Sequence, residues 1–212
     1  MGAQFDMGRR KVNASLANSL AAAADNNARA WLICDFINRH GNTYYDSTVT
    51  QKEHALQTAT LALEEDANSS LIIAALLHDV GHLLLNENAD NTSFLKKDLR
   101  HQNVVRRVLN PYVSKAVTGP IALHVAAKRY LCSTDPSYYS KLSPKTKQSL
   151  AIQGSAMTPT ELKRFERGDY FRAAVQLRRW DDAAKEPKKT TPDLAFFLPR
   201  LELELERAFK PM

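Results

Sequence analysis

The chain has only two cysteines, Cys34 and Cys132, too few for a disulfide framework. A reducing compartment, the cytoplasm, is the expectation that follows. No apolar run approaches the roughly 20 residues that cross a membrane. The opening residues, Met1-Gly2-Ala3-Gln4-Phe5-Asp6-Met7-Gly8-Arg9-Arg10-Lys11, are basic, but no apolar core with a cleavage site follows, so they do not read as a secretory signal. Asp6 stands where a myristoylated chain carries Ser or Thr. There is no alternating strand pattern, no glycine-rich phosphate loop, no internal repeat and no long low-complexity stretch. A separate Ser/His/Asp or Cys/His set is missing too. Disulfide-rich scaffolds, membrane spans, P-loop enzymes and nucleophilic hydrolases are all disfavoured on these grounds.

What remains is an ordinary soluble composition: 212 residues, 44% hydrophobic and 25% charged, a length that fits one domain. The formal charge of +6 is spread along the chain. Lys96-Lys97 and Lys188-Lys189 are short clusters without interleaved aromatics, so they read as solvated helix faces. No nucleic-acid or membrane partner is expected. Part of the charge can draw in a small anionic substrate.

Helical signals run almost throughout. Arg10 to Ala24 is Ala-rich and amphipathic, and Ala28 to Asn38 places Trp31, Leu32, Phe36 and Ile37 at helical spacing. Further helices are expected over Gln51 to Leu63, Ser70 to His78 with Ser69 as its cap, and Leu99 to Leu109. Pro120 reads as the opening of a helix to Leu131, and Pro136 and Pro144 as residues near helix starts. Thr158-Pro159-Thr160-Glu161 has the cap, proline and acid of another start. Tyr170 to Lys185 and Asp193 to Phe209 complete the set. The expected organisation is a helical extension over residues 1–26 followed by an all-α domain over 27–212.

Chemistry enters through histidine. Leu71 to Leu77 is apolar on every side, the mark of a central, buried helix, and it runs directly into His78-Asp79. Gly81 then allows a sharp turn. An ionised Asp79 at the edge of a core is costly unless a cation neutralises it. A single His-Asp pair is equally a helix end. Here His54 precedes it, His101 and His124 follow, and Asp181 lies far downstream. These are the ligand types that Fe, Mn and Zn accept, and together they point to a helical domain around two metal ions. Lys128 falls one turn after His124, and Lys185 one turn after Asp181.

The set His54, His78-Asp79, Asp181, with His101 and His124 between, resembles the dinuclear branch of the HD-domain proteins. Within that branch the chain is similar to the mixed-valent diiron oxygenases related to myo-inositol oxygenase. It also resembles the small enzymes that cleave the C–P bond of 1-hydroxy-2-aminoethylphosphonates. The segments carrying the likeness are Gln51 to Gln57, Ala74 to His82, His124 to Leu131, Leu142-Ser143-Pro144 and Leu177 to Lys185. The resemblance implies an HD-domain helical bundle with two Fe ions as an Fe(II)/Fe(III) pair and O2 as co-substrate. Asp79 would bridge the ions, His54, His78 and Asp181 complete one, and His101 and His124 the other. His82 matches a substrate-contacting histidine. Lys128 and Arg178 match phosphonate-binding residues, with Thr146 near a hydroxyl on the same group and Lys185 as a further anion contact. Tyr44 matches a tyrosine that closes over the metal.

One departure bears on substrate. The relatives acting on a primary amine carry glutamate where this chain has Ser47; the nearby acid is Asp46, beside Tyr44 and Tyr45. A carboxylate with aromatic rings suits a quaternary ammonium. The expectation is therefore oxidative cleavage of (R)-1-hydroxy-2-(trimethylammonio)ethylphosphonate to glycine betaine and phosphate. The alternatives are the same reaction on the primary amine, giving glycine, or a metal-dependent phosphohydrolase of the wider HD group. An upstream hydroxylase would supply the substrate.

Overall fold

The computed structural model describes residues 7–45, 48–85 and 100–208. Twelve helices and no strand occupy the described residues; a lone antiparallel bridge joins Tyr44 to Thr50. In order these are α1 (Met7–Ala22), α2 (Asn26–His40), α3 (Gln51–Glu64), α4 (Ser69–Leu77), α5 (Val80–Leu84) and α6 (His101–Leu109). There follow α7 (Lys115–Thr134), α8 (Pro136–Lys141), α9 (Pro144–Ile152), α10 (Pro159–Glu166), α11 (Phe171–Ala183) and α12 (Leu194–Arg207). The all-α reading holds.

Helix α4 is the hub. Ile72 to Leu77 are all buried, as a helix apolar on every side demands, and α3, α7, α11 and α12 pack around it. The apolar core links these helices with α2, α5 and α6. Helix α1 belongs to the same body: Leu16 and Leu20 are buried in that core, and α1 packs on α2 and α5. The segment expected as an extension is therefore partly core.

Local chemistry sets the boundaries. Thr50 and Glu53 form a capping box on α3, and Thr158 and Glu161 form another on α10. Helix α4 starts one residue earlier than expected. Asn68 is its cap, accepting from Leu71 N–H at 3.0 Å, while Ser69 Oγ is buried without a partner. Pro136 and Pro144 each occupy a first turn, as expected.

Pro120 does not open its helix. Ser114, in extended conformation, precedes α7, which then runs through Pro120 in its interior. An interior proline forfeits one backbone bond, at about 3 kcal/mol or more. Burial of Val117, Pro120, Ile121 and Val125 offsets that loss. Gly81 also departs from expectation, since its backbone is not left-handed. Its role is closeness: a Cβ there would lie 2.2 Å from the His101 carbonyl oxygen. Glycine lets α5 touch the start of α6, and that contact sets the position of His101.

Candidate metal centre

Six helices or their ends deliver one cluster of donors. His54 sits on α3, His78 caps α4, Asp79 precedes α5, His101 begins α6, His124 lies on α7 and Asp181 on α11. All six are buried. Asp79 stands at the centre. Its Oδ2 is 3.6 Å from His54 Nε2 and 3.5 Å from His78 Nε2. Its Oδ1 is 3.2 Å from His101 Nε2 and 3.6 Å from those of His124 and His82. Asp181 Oδ1 lies 3.4 Å from His54 Nε2 and 3.9 Å from His78 Nε2.

The ring tautomers follow from their partners. His54 Nδ1 is 2.8 Å from the Ala184 carbonyl, His78 Nδ1 2.8 Å from that of Ala75, and His124 Nδ1 2.7 Å from that of Ile121. A carbonyl only accepts, so each Nδ1 carries the hydrogen and each Nε2 presents a lone pair. The lone pairs of His54 and His78 face each other, their Nε2 atoms 3.3 Å apart, and His101 Nε2 lies 3.1 Å from His124 Nε2. Asp79 Oδ1 is buried with no hydrogen-bond donor. Acceptors turned on acceptors in a dry core form a place that a cation between them would relieve. Burial and the neighbouring His101 hold His124 well below the usual histidine pKa, so its ring is neutral, as a ligand must be. Burial works against a charged His78, yet Asp79 and Asp181 outweigh it and raise its pKa. Two donor groups emerge: His54, His78, Asp79 and Asp181 in one, and Asp79, His82 and His101, with His124 alongside, in the other.

Basic residues border this cluster. Lys128 is 3% exposed and donates to Ser149 Oγ at 2.8 Å. Burial, helped by the positive charge of Arg178, pulls its pKa down to about 7. Arg178 is committed: Nη1 donates to Asp181 Oδ2 at 2.7 Å, Nε to Asp182 Oδ2 at 2.9 Å and to the Tyr138 hydroxyl at 3.1 Å, and Nη2 to Asp182 Oδ1. Asp181 thus turns one oxygen to the histidines and the other to arginine. Tyr138 also donates to Asp182.

Several expected residues sit differently from their reading. Tyr44 was expected to close over the metals; it is 66% exposed. Tyr45 holds that place, stacked on His54 with ring centroids 3.9 Å apart and its hydroxyl 3.4 Å from Asp181 Oδ1. The bridge from Tyr44 to Thr50 is extended backbone, and neighbours in extended backbone point to opposite sides. Lys185 is not one helical turn from Asp181, because α11 ends at Ala183. Its ammonium lies 5.6 Å over the Tyr45 ring and 3.9 Å from Asp182 Oδ1. Thr146 turns its hydroxyl to Ser143, 2.9 Å away, and Ser149 meets Lys128 instead. His82 stacks on His101 at 3.8 Å, its side chain 17% exposed. Asp46 and Ser47 lie outside the described residues.

Sequence reasoning passed over Ser149, Tyr138 and Asp182. A signal existed for the last: Arg178 and Asp182 are an i,i+4 pair on α11. Nothing in the pattern flags Tyr138, whose partners come from another helix.

No family model matches the chain. Individual relatives do. The hydroxymethylphosphonate dioxygenase of Gimesia maris is 41% identical over 198 residues, covering 93% of this chain and 98% of the relative. This chain belongs to the phosphonate dioxygenase family. A second member, the [1-hydroxy-2-(trimethylamino)ethyl]phosphonate dioxygenase (glycine-betaine-forming) of Leisingera caerulea, is 33% identical over 81% of this chain and 87% of its own length. An uncharacterized protein of Acanthamoeba polyphaga mimivirus is 31% identical over 74% of this chain. For a dioxygenase of this family, the buried His/Asp cluster supplies the kind of place where metal and O2 chemistry occurs. Among the described residues no helix is long and apolar enough to cross a membrane.

Proposed function

We propose that the chain is a diiron oxygenase that uses O2 to cleave the C–P bond of a small 1-hydroxyphosphonate, hydroxymethylphosphonate foremost. The observation that carries the metal reading is Asp79, whose two oxygens reach two separate groups of histidine nitrogens. His54, His78, Asp79 and Asp181 would hold one iron; Asp79, His101 and His124 the other. When bound, the Fe(II)/Fe(III) pair supplies the redox capacity for O2 that side chains lack.

The chain's own residues bind and orient. Lys128, held by Ser149, presents a buried ammonium to the phosphonate, where charge-assisted bonds are strong. Arg178 fixes Asp181 and adds positive field, although much of its donor capacity is already spent. Tyr45 is a neutral phenol, burial and then Asp181 holding its pKa well above the usual value. It shields His54 and closes one side of the cluster. His82 lines the other side as the partly exposed member. The overall change balances: hydroxymethylphosphonate dianion plus O2 gives formate, hydrogen phosphate and a proton.

Tyr45 bears on which substrate fits. One ring face is covered by His54 and the Lys185 ammonium stands over the ring. A quaternary ammonium seeking that ring would meet a cation already there. A substrate without a cationic tail avoids the conflict, and the relative at 41% identity is named for such a compound. The trimethylated substrate keeps the support of the relative at 33% and of Asp46 beside the tyrosines. Either substrate needs a hydroxyl on C1, placed there by a hydroxylase acting earlier.

The test offers hydroxymethylphosphonate, 1-hydroxy-2-aminoethylphosphonate and its N-trimethyl form to iron-loaded protein, with O2 uptake and phosphate measured. Equimolar O2 consumption and phosphate release, fastest with hydroxymethylphosphonate, is expected. Faster turnover of the trimethylated compound would reverse the substrate choice. Phosphate released without O2, in Mn or Mg buffer, would instead mark a phosphohydrolase.

A further inference from the structure

Gln57 lies on α3 one turn after His54 and is 1% exposed. Its amide makes two hydrogen bonds with a single distant residue. Nε2 donates to the Glu186 carbonyl at 2.8 Å, and Oε1 accepts from Glu186 N–H at 3.0 Å. A side chain here does what a neighbouring strand would do, pairing with one residue's donor and acceptor together.

The segment it grips follows α11. Ala184 has φ −79° and ψ 56°, and Lys185 N–H bonds to the Ala183 carbonyl at 2.9 Å. Those are the angles and the bond of an inverse γ-turn centred on Ala184. The Ala184 carbonyl is the acceptor for His54 Nδ1, 130 residues away in sequence. Ala184 N–H closes the last turn of α11 on the Trp180 carbonyl at 2.9 Å, but beyond that bond only the γ-turn's own bond holds the chain, so the side that follows Ala184 gains from an outside tie. Gln57 supplies one two residues downstream.

We propose that Gln57 is a positioning residue for the metal centre: its clamp on Glu186 holds the Ala184 turn, whose carbonyl keeps His54 in the Nδ1–H tautomer with Nε2 turned to the cluster. The proposal rests on the metal-centre reading, but its first consequence concerns a ring tautomer and needs no metal. Lost partners behind a ligating histidine cost about 10–100-fold in metal affinity.

Two variants of the full-length chain test it. Gln57→Met keeps the side chain's length and removes both bonds. Gln57→Glu keeps the acceptor for Glu186 N–H and sets a carboxylate oxygen against the Glu186 carbonyl. Ring nitrogen shifts of His54 are read by NMR in chelator-treated protein, and Fe(II) affinity by anaerobic competition with a chelator. Wild type should show His54 as a single Nδ1–H form. Gln57→Met should show mixed tautomers and Fe(II) binding weakened about 10–100-fold, with Gln57→Glu changed in the same sense by less. A His54 ring that stays wholly Nδ1–H, or Fe(II) affinity within twofold of wild type, overturns the proposal. If Gln57→Met does not fold, the same two readouts on Gln57→Glu decide. A wild type that binds no iron would defeat the metal-centre reading, while the tautomer comparison still judges the clamp.

Discussion

Two ways of aiming a histidine coexist in this cluster. His78 and His124 each bond a carbonyl three residues back on their own chain segment, Ala75 and Ile121. His54 borrows its carbonyl from Ala184, on the far side of the domain's sequence. The first device is complete once α4 and α7 form. The second exists only when α3 and the end of α11 have docked. His78 and His124, one from each donor group, are therefore aimed by secondary structure and His54 by tertiary packing, and the two devices should fail under different insults.

The largest break removes what the two donor groups share. Asp79 makes no capping bond to α5, so Asp79→Ala should spare the helix and strip the cluster. Iron per chain should fall from about two to below one, and turnover to less than about a hundredth, more than loss of an outer-shell partner brings. An iron content unchanged from wild type would remove Asp79 from the bridge.

Gly81→Ala attacks the His101 side alone. The new methyl would meet the His101 backbone, and overpacking of this kind costs about 1–3 kcal/mol. At this chain length that lowers Tm by about 2–4 °C per kcal/mol. Iron bound through His101 should weaken while the tautomer of His54 is untouched. His101→Ala goes further on the same side and should leave one ion of two, counted by metal analysis.

Lys128 tests the basic border. Its pKa of about 7 means that the free enzyme loses this charge as pH rises through 7. Values of kcat/KM for the phosphonate should fall above about pH 7, and Lys128→Arg should flatten that limb. The stability effect has the opposite sense. The unfolded lysine keeps its proton to about 10.4, so the unfolded state binds more protons between 7 and that value, and this group adds stability as pH rises through the window. Lys128→Ala should raise KM while leaving iron content intact, the loss being of the order of 2–5 kcal/mol.

Tyr138→Phe should do least. It removes one hydroxyl from the Arg178–Asp182 pair, which keep their own bonds, so about 0.5–1.5 kcal/mol of stability is expected to go. Urea unfolding measures it. A collapse of iron content in this variant would show that Arg178 depends on Tyr138 for more than one bond.

The helices were legible because they follow short-range rules, whereas the grouping of His54, His101, His124 and Asp181 with His78-Asp79 came from the resemblance, since residues so far apart in sequence leave no local pattern. An apolar run ending in His78-Asp79 announces a buried helix that delivers polar groups to the core edge. Thr158-Pro159-Thr160-Glu161 announces a start. What escaped depended on other segments. Tyr44 and Tyr45 are adjacent and alike, and only the bridge to Thr50 settles which faces inward. Lys185 looked helical because the pattern did not reveal the turn at Ala184. Ser149 and Tyr138 gain their roles from partners 21 and 40 residues away. Gly81 was recognised as necessary, but for turning rather than for proximity, since the His101 backbone it must accommodate comes from a later helix.

The borrowed carbonyl also orders events during synthesis. His54, His78, Asp79, His101 and His124 all leave the ribosome before Asp181 and Ala184. A nascent chain can therefore display most of the donors while His54 still lacks the partner that orients it and the carboxylate that faces it. In the proposed metal centre, ions arriving early would meet a loose site from which they could leave again. Only after the end of α11 settles against α3 does the site take its final shape, so selection of the proposed metal would be deferred until the fold itself is nearly assembled.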